Sequence, residues 1–477
     1  MTRCCGSDPH DPCCGTAEAA LAADACCDPA AKAGVLESRQ PADLPVVVIG
    51  AGPVGLAAAA HLAERDLDFV VLEAGDGVAA AIGEWRHVRL FSPWRFDIDA
   101  AARRLLEADG WVAPEPDLLP TGGELVEAYL QPLAKLPTLA GRIRYGAPVD
   151  AVTRLGYDRV RSTGRDQAPF LVRLADGEEL LARAVIDASG SWRTPNVLGG
   201  YGLPARGEPE AVAAGVVAAA LPDVLGSERE RFAGRRTAVV GAGHSAATTL
   251  LELAALRDEV PGTEVIWAVR GQNPRRSFGG GADDQLPARG ALGARLRSLV
   301  ESGTVELVTG FAVQAVERDG DQVVLVGDGQ RVVADLVVNA TGFRPDHGIG
   351  AELRLDLDPI LGATRTLAPL IDPNVHSCGT VPPHGVDELS HPETGYYIAG
   401  VKSYGRAPTF LLATGYEQVR SVAAALAGDW EAARDVRLEL PETGVCSSDL
   451  ASGQGQGFTT GLRALPVVAT TGGSCCG

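Results

Sequence analysis

Two stretches of the chain place small residues at the spacing of turns that bind dinucleotides. The first reads Gly50-Ala51-Gly52-Pro53-Val54-Gly55, and the second reads Gly241-Ala242-Gly243-His244-Ser245-Ala246. In such a turn the first glycine permits a tight bend, the second lets a pyrophosphate approach, and the third small residue allows close packing of helix on strand. Amides at the helix N-terminus then face the phosphates. The predicted contacts are Gly50, Gly52, Pro53 and Gly55 in one turn, and Gly241, Gly243, Ser245 and Ala246 in the other.

The residue that ends the following strand differs between the two turns. Glu73 ends the strand after the first turn, where a carboxylate accepts hydrogen bonds from ribose hydroxyls. Arg270 ends the strand after the second turn, and a cation there suits a ribose 2′-phosphate that a carboxylate would repel. The two charges predict FAD at the first turn and NADPH at the second, with hydride passing from nicotinamide to flavin. The alternatives are a turn without ligand and a solvated arginine at a strand end.

Eight of the ten cysteines form adjacent pairs near the ends of the chain: Cys4, Cys5, Cys13, Cys14, Cys26, Cys27, Cys475 and Cys476. Adjacent thiols are poor disulfide partners because the ring they would close is strained. They chelate thiophilic ions well, since one short segment presents two soft sulfurs. The C-x2-C spacing of zinc sites and of redox-active disulfides does not occur. The pairs predict capture of trivalent arsenic or mercury, and a dispensable metal-buffering tail is the alternative.

Apolar strands and alanine-rich helices surround both turns. The predicted elements are strands 46–49 and 68–73 with helix 56–65 around the first turn, and strands 237–240 and 264–270 with helix 247–257 around the second. Each set is a βαβ unit, so the chain contains an approximate internal repeat. Two further strands end alike, in Ala188-Ser189-Gly190 and Ala340-Thr341-Gly342, and a last helix is predicted at 414–427. The pattern indicates an α/β protein with two Rossmann-like units.

Composition narrows the possible partners. With 477 residues the chain is long enough for two or three domains, and 42 Lys and Arg against 61 Asp and Glu give a net charge of −19. Because the basic residues are scattered, we expect no nucleic-acid partner. The apolar run 46–62 is interrupted by glycines and a proline, so we expect no membrane span. We expect a cytoplasmic protein, where thiols stay reduced, with a small-molecule substrate. The oligomeric state stays open.

The ordered set of motifs resembles the flavoproteins with two dinucleotide-binding domains, and among them the flavin-containing monooxygenase-like group. Besides the turns and Glu73, the matching stretches are Gly83-Glu84-Trp85-Arg86, Asp187-Ala188-Ser189-Gly190, Ala340-Thr341-Gly342-Phe343-Arg344-Pro345 and Thr414-Gly415-Tyr416-Glu417-Gln418-Val419. This resemblance implies FAD and NADPH as cofactors. It adds these residues to the expected cofactor contacts: Trp85, Ser92, Trp94, Ser189, Gly190, Thr341, Gly342, Gly415 and Tyr416.

The resemblance also implies a domain arrangement in which a discontinuous FAD domain contains an inserted NADPH domain. The expected parts are a flexible cysteine-pair arm at 1–44, the FAD domain at 45–231 and 336–437, the NADPH domain at 232–335, and a flexible arm with the last cysteine pair at 438–477.

A narrower resemblance, to the flavin monooxygenases encoded in arsenic-resistance operons, is carried by the stretches 400–410 and 440–446. It implies an NADPH-dependent monooxygenase that oxidises a soft nucleophile such as a trivalent inorganic or organic arsenical. The histidine of the monooxygenase hallmark is missing, however, because Ala238 stands where it would fall. Two alternatives therefore stay open: a flavin-dependent reductase that passes electrons through vicinal cysteines, and a metalloid-binding redox sensor without turnover. No catalytic residue is assigned.

Overall fold

A computed structural model describes residues 43–279, 281, 284–375, 381–408 and 410–438. All ten cysteines, including every predicted metal-binding pair, lie outside the described residues. The two arms predicted at 1–44 and 438–477 also lie outside them, apart from their innermost residues.

Short strands make up the sheets of the described chain. Their bounds are β1 Val46–Ile49, β2 Phe69–Leu72, β3 Ile143–Arg144, β4 Val149–Arg154, β5 Phe170–Leu174, β6 Glu179–Ala182, β7 Ala184–Asp187, β8 Val217–Ala218, β9 Arg236–Val240, β10 Glu264–Ala268, β11 Glu306–Val308, β12 Ala315–Asp319, β13 Gln322–Gly327, β14 Gln330–Ala334, β15 Leu336–Asn339 and β16 Tyr396–Ile398.

The longer helices are α1 Pro53–Ala63, α2 Ala100–Ala108, α3 His244–Glu259, α4 Pro287–Glu301 and α5 Leu412–Leu426. Shorter α-helices span Ala80–Gly83, Trp94–Asp97, Gly122–Leu125, Gln131–Lys135, Pro137–Ala140, Glu208–Ala213, Arg229–Phe232, Ala368–Ile371, Val386–Leu389 and Trp430–Arg434. A π-helical turn spans Val126–Leu130, and 3₁₀ turns span Arg165–Gln167, Arg275–Phe278, Gly348–Gly350 and Gly400–Tyr404.

The first parallel sheet has the strand order β16-β7-β1-β2-β3. β1, β2, β3 and β7 precede residue 188, whereas β16 comes from the far end of the described chain, so this unit is discontinuous as predicted. β1 and β7 are in register, with Ile49 opposite Asp187, and Ile398 of β16 is also opposite Asp187. The carboxyl ends of three strands therefore meet beside the first turn, where open α/β sheets bind ligands.

The second parallel sheet has the strand order β11-β10-β9-β15-β8. All of its strands lie between Val217 and Asn339, so it is inserted into the first unit as predicted. β8 and β15 lie just outside the interval 232–335, and the exact domain bounds stay a prediction. Two antiparallel sheets, β4-β5-β6 and β12-β13-β14, accompany the parallel ones.

The predicted fold class, two Rossmann-like units in an α/β chain, is confirmed, and the predicted elements differ mainly at their ends. Helix α1 begins at Pro53, earlier than the predicted Leu56, because proline at the first helical position is already set for the helix. Residues 54–62 of this helix are all buried. In the described part of the chain, no helix combines the length and apolarity needed to span a membrane.

Candidate functional site

The first glycine turn packs closely against the protein on one side and leaves open space on the other. Gly50 has φ +100°, a conformation that favours glycine. A Cβ on Gly55 would lie 1.9 Å from the carbonyl oxygen of Gly50, so only glycine permits this close packing. A Cβ on Gly52 would meet no atom within 4 Å, which leaves room in front of the α1 amides. This geometry fits a pyrophosphate held at a helix N-terminus.

Glu73 braces the first turn. Its Oε2 accepts a hydrogen bond of 2.7 Å from the Ala51 amide, and its Oε1 accepts one of 2.9 Å from the Gly75 amide. The carboxylate thus holds the glycine turn against the end of β2. The predicted contact of Glu73 with a ribose stays a prediction.

The second turn repeats the same backbone design. Gly241 has φ +141°, and a Cβ on it would lie 2.0 Å from the Ala340 carbonyl oxygen. A Cβ on Gly243 would meet no atom within 4 Å, so the space before α3 is open as well. Ala246 is fully buried in the first turn of α3, and Ser245 beside it is half-buried. The second turn therefore also fits a dinucleotide phosphate.

Arg270, predicted to select NADPH, is exposed just after β10. Its Nη1 donates a hydrogen bond of 3.0 Å to the Gly200 carbonyl oxygen, on the loop beside the second sheet. A ribose 2′-phosphate would have to replace or share this contact. The role of Arg270 in selecting NADPH therefore stays a prediction.

The two connections between the sheets are built alike. After β7, the Ser189 hydroxyl donates a hydrogen bond of 2.6 Å to Oδ1 of Asp187. After β15, the Thr341 hydroxyl donates one of 2.7 Å to Oδ1 of Asn339. Each connection then continues through a glycine with positive φ, +75° at Gly190 and +95° at Gly342. The two similar sequences thus form similar side-chain turns where the chain crosses between units.

A buried ion pair distinguishes the first connection. The Lys402 ammonium lies 2.6 Å from Oδ2 of Asp187, and the Tyr396 hydroxyl donates to the same oxygen at 3.0 Å. Burial would raise the pKa of Asp187, but the Lys402 charge and the hydrogen bonds from Lys402 and Ser189 outweigh it and hold that pKa below its ordinary value. The pair lies beside the first turn, because a Cβ on Gly50 would approach the Ala188 carbonyl oxygen to 2.8 Å.

The segment 91–97 joins the second turn to the closing helix. The ring of Phe91 packs against the ring of His244 with centroids 4.9 Å apart. Ser92 and Trp94 are buried within this segment. At its other end the Tyr416 hydroxyl donates a hydrogen bond of 2.7 Å to the Asp97 carbonyl oxygen. The structure therefore brings the predicted residues Ser92, Trp94 and Tyr416 into one region.

Two further predicted residues lie at the edges of this region. A Cβ on Gly415 would approach Val54 of α1 to 2.5 Å, so the closing helix packs directly against the first turn. The half-buried ring of Trp85 lies 6.3 Å from that of Trp192, whose indole N–H donates to Glu84 at 2.7 Å. Trp85 therefore faces the connection after β7.

The sequence predicts no role for several side chains that the structure places here: Phe91, Asp97, Asp187, Trp192 and Tyr396. For Lys402 it predicts a role in orienting substrate or flavin, and the structure pairs this residue with Asp187. The one signal available was a charged residue, Asp187, at the end of an apolar strand. In the described part of the chain, no three His, Cys, Asp or Glu side chains are grouped so as to hold a metal ion.

Comparison with known proteins gives a consistent set of relatives. Residues 47–359 match the family described as pyridine nucleotide-disulphide oxidoreductase. The indole-3-pyruvate monooxygenase YUCCA1 of Oryza sativa subsp. japonica is 31% identical over 209 residues, which cover 43% of this chain and 44% of the rice protein. The match thus spans less than half the length of this relative.

Solved structures show the same architecture. The bacillithiol disulfide reductase Bdr (YpdA) of Bacillus cereus superposes with a TM-score of 0.60 at 20% identity, covering 81% of this chain and 99% of its own. The FAD-bound cadaverine monooxygenase DfoA of Erwinia amylovora superposes with a TM-score of 0.57 at 15% identity, covering 83% of this chain and 96% of its own. At these identities the likeness is one of fold.

Proposed function

This chain belongs to the pyridine nucleotide-disulphide oxidoreductase family, and from that membership we propose how its two turns are used. It is a flavoprotein oxidoreductase whose cofactors are FAD and NADPH. We place FAD at the first turn and NADPH at the second. The open space before Gly52 and Gly243, where an added Cβ would meet no atom within 4 Å, supports a nucleotide at both turns. The observation that carries the assignment is the exposed Arg270 after β10, a cation suited to the 2′-phosphate that distinguishes NADPH.

The residues of the first unit bind and shield the flavin cofactor. FAD, once bound, would supply two-electron transfer from nicotinamide to dioxygen. The α1 amides hold its pyrophosphate, and Gly55 keeps the helix close enough to the sheet to aim them. The buried side chains of Ser92 and Trp94 exclude water from the region between the two turns.

We propose that the substrate is a soft nucleophile, with trivalent organic or inorganic arsenic as the substrate class. The likeness to a monooxygenase over 209 residues supports oxygen transfer. The paired cysteines near the chain ends support a thiophilic substrate, since trivalent arsenic binds thiolates.

In the proposed reaction NADPH, a proton, dioxygen and the trivalent arsenical yield NADP⁺, water and the pentavalent oxide. NADPH supplies two electrons and arsenic supplies two, so one oxygen atom forms a bond to arsenic and the other leaves as water. The cysteine pairs, predicted at Cys4, Cys5, Cys13, Cys14, Cys26, Cys27, Cys475 and Cys476, deliver or retain the arsenical and are not part of the redox step.

The experiment that tests this function compares NADPH oxidation with and without dioxygen in the presence of arsenite, methylarsenite or mercuric ion. We expect consumption that needs dioxygen and rises with methylarsenite, and the labelled atom of isotopic dioxygen in the product. Steady NADPH consumption that ignores both arsenicals would rule out the substrate class. Anaerobic turnover that disappears in the Cys475→Ser/Cys476→Ser variant would instead support the reductase alternative, and a flavin that NADPH does not reduce would support the sensor.

A further inference from the structure

Asp97 is a buried carboxyl group in the segment 91–97, which joins the second turn to the closing helix. Its side chain is 1% exposed. Oδ1 accepts a hydrogen bond of 2.7 Å from the Ser92 hydroxyl, whereas Oδ2 is buried without a hydrogen-bond partner among the described residues. An unpartnered buried carboxyl oxygen is costly, and it is least costly when the group is neutral.

Burial raises the pKa of Asp97 to about 7, and the hydrogen bond from Ser92 opposes only part of that rise. The carboxyl group therefore changes its protonation state near neutral pH, within the ordinary working range of an enzyme.

The polar groups packed around Asp97 come from several elements. They are Ser92 on its own segment, Tyr416 on α5, Tyr129 on the π-helical turn, and Asp99 at the N-cap of α2 with its partner His61 on α1. Burial raises the pKa of both tyrosines well above the ordinary value, so both stay neutral. Asp99 directs its carboxylate to the Ala102 amide and to His61, at 2.8 and 3.0 Å. Among the described side chains, the Ser92 hydroxyl is therefore the one that forms a hydrogen bond with the Asp97 carboxyl group.

A hydroxyl group can donate one hydrogen bond and accept others, and its neighbour decides which it does. The ionised Asp97 carboxylate can only accept hydrogen bonds, so the Ser92 hydroxyl must donate its proton to it. Toward a second partner the Ser92 hydroxyl can then act only as an acceptor. Protonated Asp97 can donate to Ser92, which frees the Ser92 proton for a second partner. When Asp97 gains a proton from solvent, the Ser92 hydroxyl therefore changes from hydrogen-bond acceptor to hydrogen-bond donor toward its second partner.

We propose that Asp97 is a positioning residue that sets the direction of the Ser92 hydroxyl toward bound FAD. The inference rests on the proposed function, because the place of Ser92 beside the flavin comes from the family resemblance. A flavin ring nitrogen that accepts hydrogen bonds in the oxidised state carries a hydrogen in the reduced state. A hydroxyl of reversible polarity can contact that edge in both states, whereas a fixed donor or acceptor suits only one.

The test follows the absorption spectrum and midpoint potential of the FAD-loaded protein across pH. The wild type is expected to show an inflection near neutral pH in both. Asp97→Asn and Ser92→Ala should each abolish that inflection. Glu252→Gln is the matched control, because burial raises the pKa of Glu252 to about 7 as well, but this residue lies on α3. The control variant should keep the inflection.

A second readout needs no cofactor. Because Glu252 also has a pKa of about 7, the infrared measurement uses the FAD-free Glu252→Gln protein as its parent. This parent should show a carboxylic-acid carbonyl band that disappears as pH rises through neutrality. The band should be absent when Asp97→Asn is added and retained when Ser92→Ala is added. Failure to bind FAD at all would contradict the proposed function. FAD that binds normally, with a spectrum and potential whose inflection is missing in the wild type or survives in Asp97→Asn, would overturn this inference alone.

Discussion

The two glycine turns share one backbone design but differ in how much protein covers them. In the first turn Ala51 is buried and Gly52 and Pro53 are half-buried, and Glu73 ties the turn to the next strand. In the second turn Ala242, Gly243 and His244 are exposed, and so is Arg270. A covered turn suits a cofactor that stays bound, whereas an open one suits a nucleotide that enters and leaves in every cycle. This difference supports the proposal that FAD stays bound at the first turn and that NADPH binds and leaves at the second.

The two connections between the units show a parallel difference. Asp187 and Asn339 occupy matching places and accept matching hydroxyl hydrogen bonds. The acid is neutralised by buried Lys402, while the Asn339 amide donates to the Asn196 carbonyl oxygen at 2.8 Å. The first connection therefore depends on a charge pair drawn from β7 and the 3₁₀ turn before the closing helix, and the second depends on neutral hydrogen bonds.

The largest effect on stability is expected from Gly55→Val, which adds a side chain in the first, covered turn. Its Cβ would lie 1.9 Å from a backbone oxygen that cannot move aside, so we expect a loss of at least about 4 kcal/mol in the free energy of unfolding. Urea unfolding and the flavin content of the purified protein measure it. Wild-type stability with full FAD content would show that the close packing at Gly55 is not required.

Lys402→Met tests the charged connection. Removing the ammonium leaves Asp187 buried with only hydroxyl and amide donors, so we expect a loss of about 3–5 kcal/mol in the free energy of unfolding. The double variant Asp187→Asn/Lys402→Met removes both charges and should recover most of that loss. If the double variant is no more stable than the single one, the ion pair does not explain the effect.

Gly52→Ala and Gly243→Ala form a matched pair that compares the turns directly. Neither added Cβ meets a protein atom within 4 Å, so both variants should fold with wild-type stability. Each methyl group would occupy the space of a phosphate, at a cost of about 2–3 kcal/mol in binding. Gly52→Ala should lose FAD and Gly243→Ala should lose NADPH affinity, as titration calorimetry would show. FAD loss in both variants would contradict separate sites.

The smallest effect is expected from Arg270→Gln on the open turn. If the guanidinium binds a ribose 2′-phosphate, its loss should weaken NADPH binding by about 1–2 kcal/mol, on the order of tenfold, with NADH binding unchanged. The Kd values of both nucleotides, measured on the FAD-loaded protein, check this. An equal change for the two nucleotides would assign Arg270 to its Gly200 contact alone.

The local elements could be predicted because they depend on short-range patterns. The strand Val46–Ile49 is continuous in apolar residues, and its predicted and observed bounds are the same. The spacing of the glycines predicts both turns. Helix α3 begins at His244, three residues before the start at 247 that the sequence predicts, because its first turn lacks apolar periodicity. The two-unit fold followed from the internal repeat.

The side-chain clusters could not be predicted, because they join residues far apart in the chain. Asp187 and Lys402 are separated by 215 positions, and Tyr416 and Asp97 by 319. No pattern within one element reports such contacts, which depend on how the sheet and closing helix assemble. The unusual protonation of Asp97 depends on burial from all sides, which its neighbours in sequence do not determine.

The most direct test of the account adds nucleotide to the purified FAD-loaded protein without dioxygen and follows the flavin absorbance. We predict that NADPH bleaches the flavin of the wild type completely and that NADH at the same concentration does so far more slowly. We also predict that Gly243→Ala retains its flavin and that NADPH bleaches it far more slowly than in the wild type. A flavin in Gly243→Ala that NADPH bleaches at the wild-type rate would contradict the assignment of NADPH to the second turn.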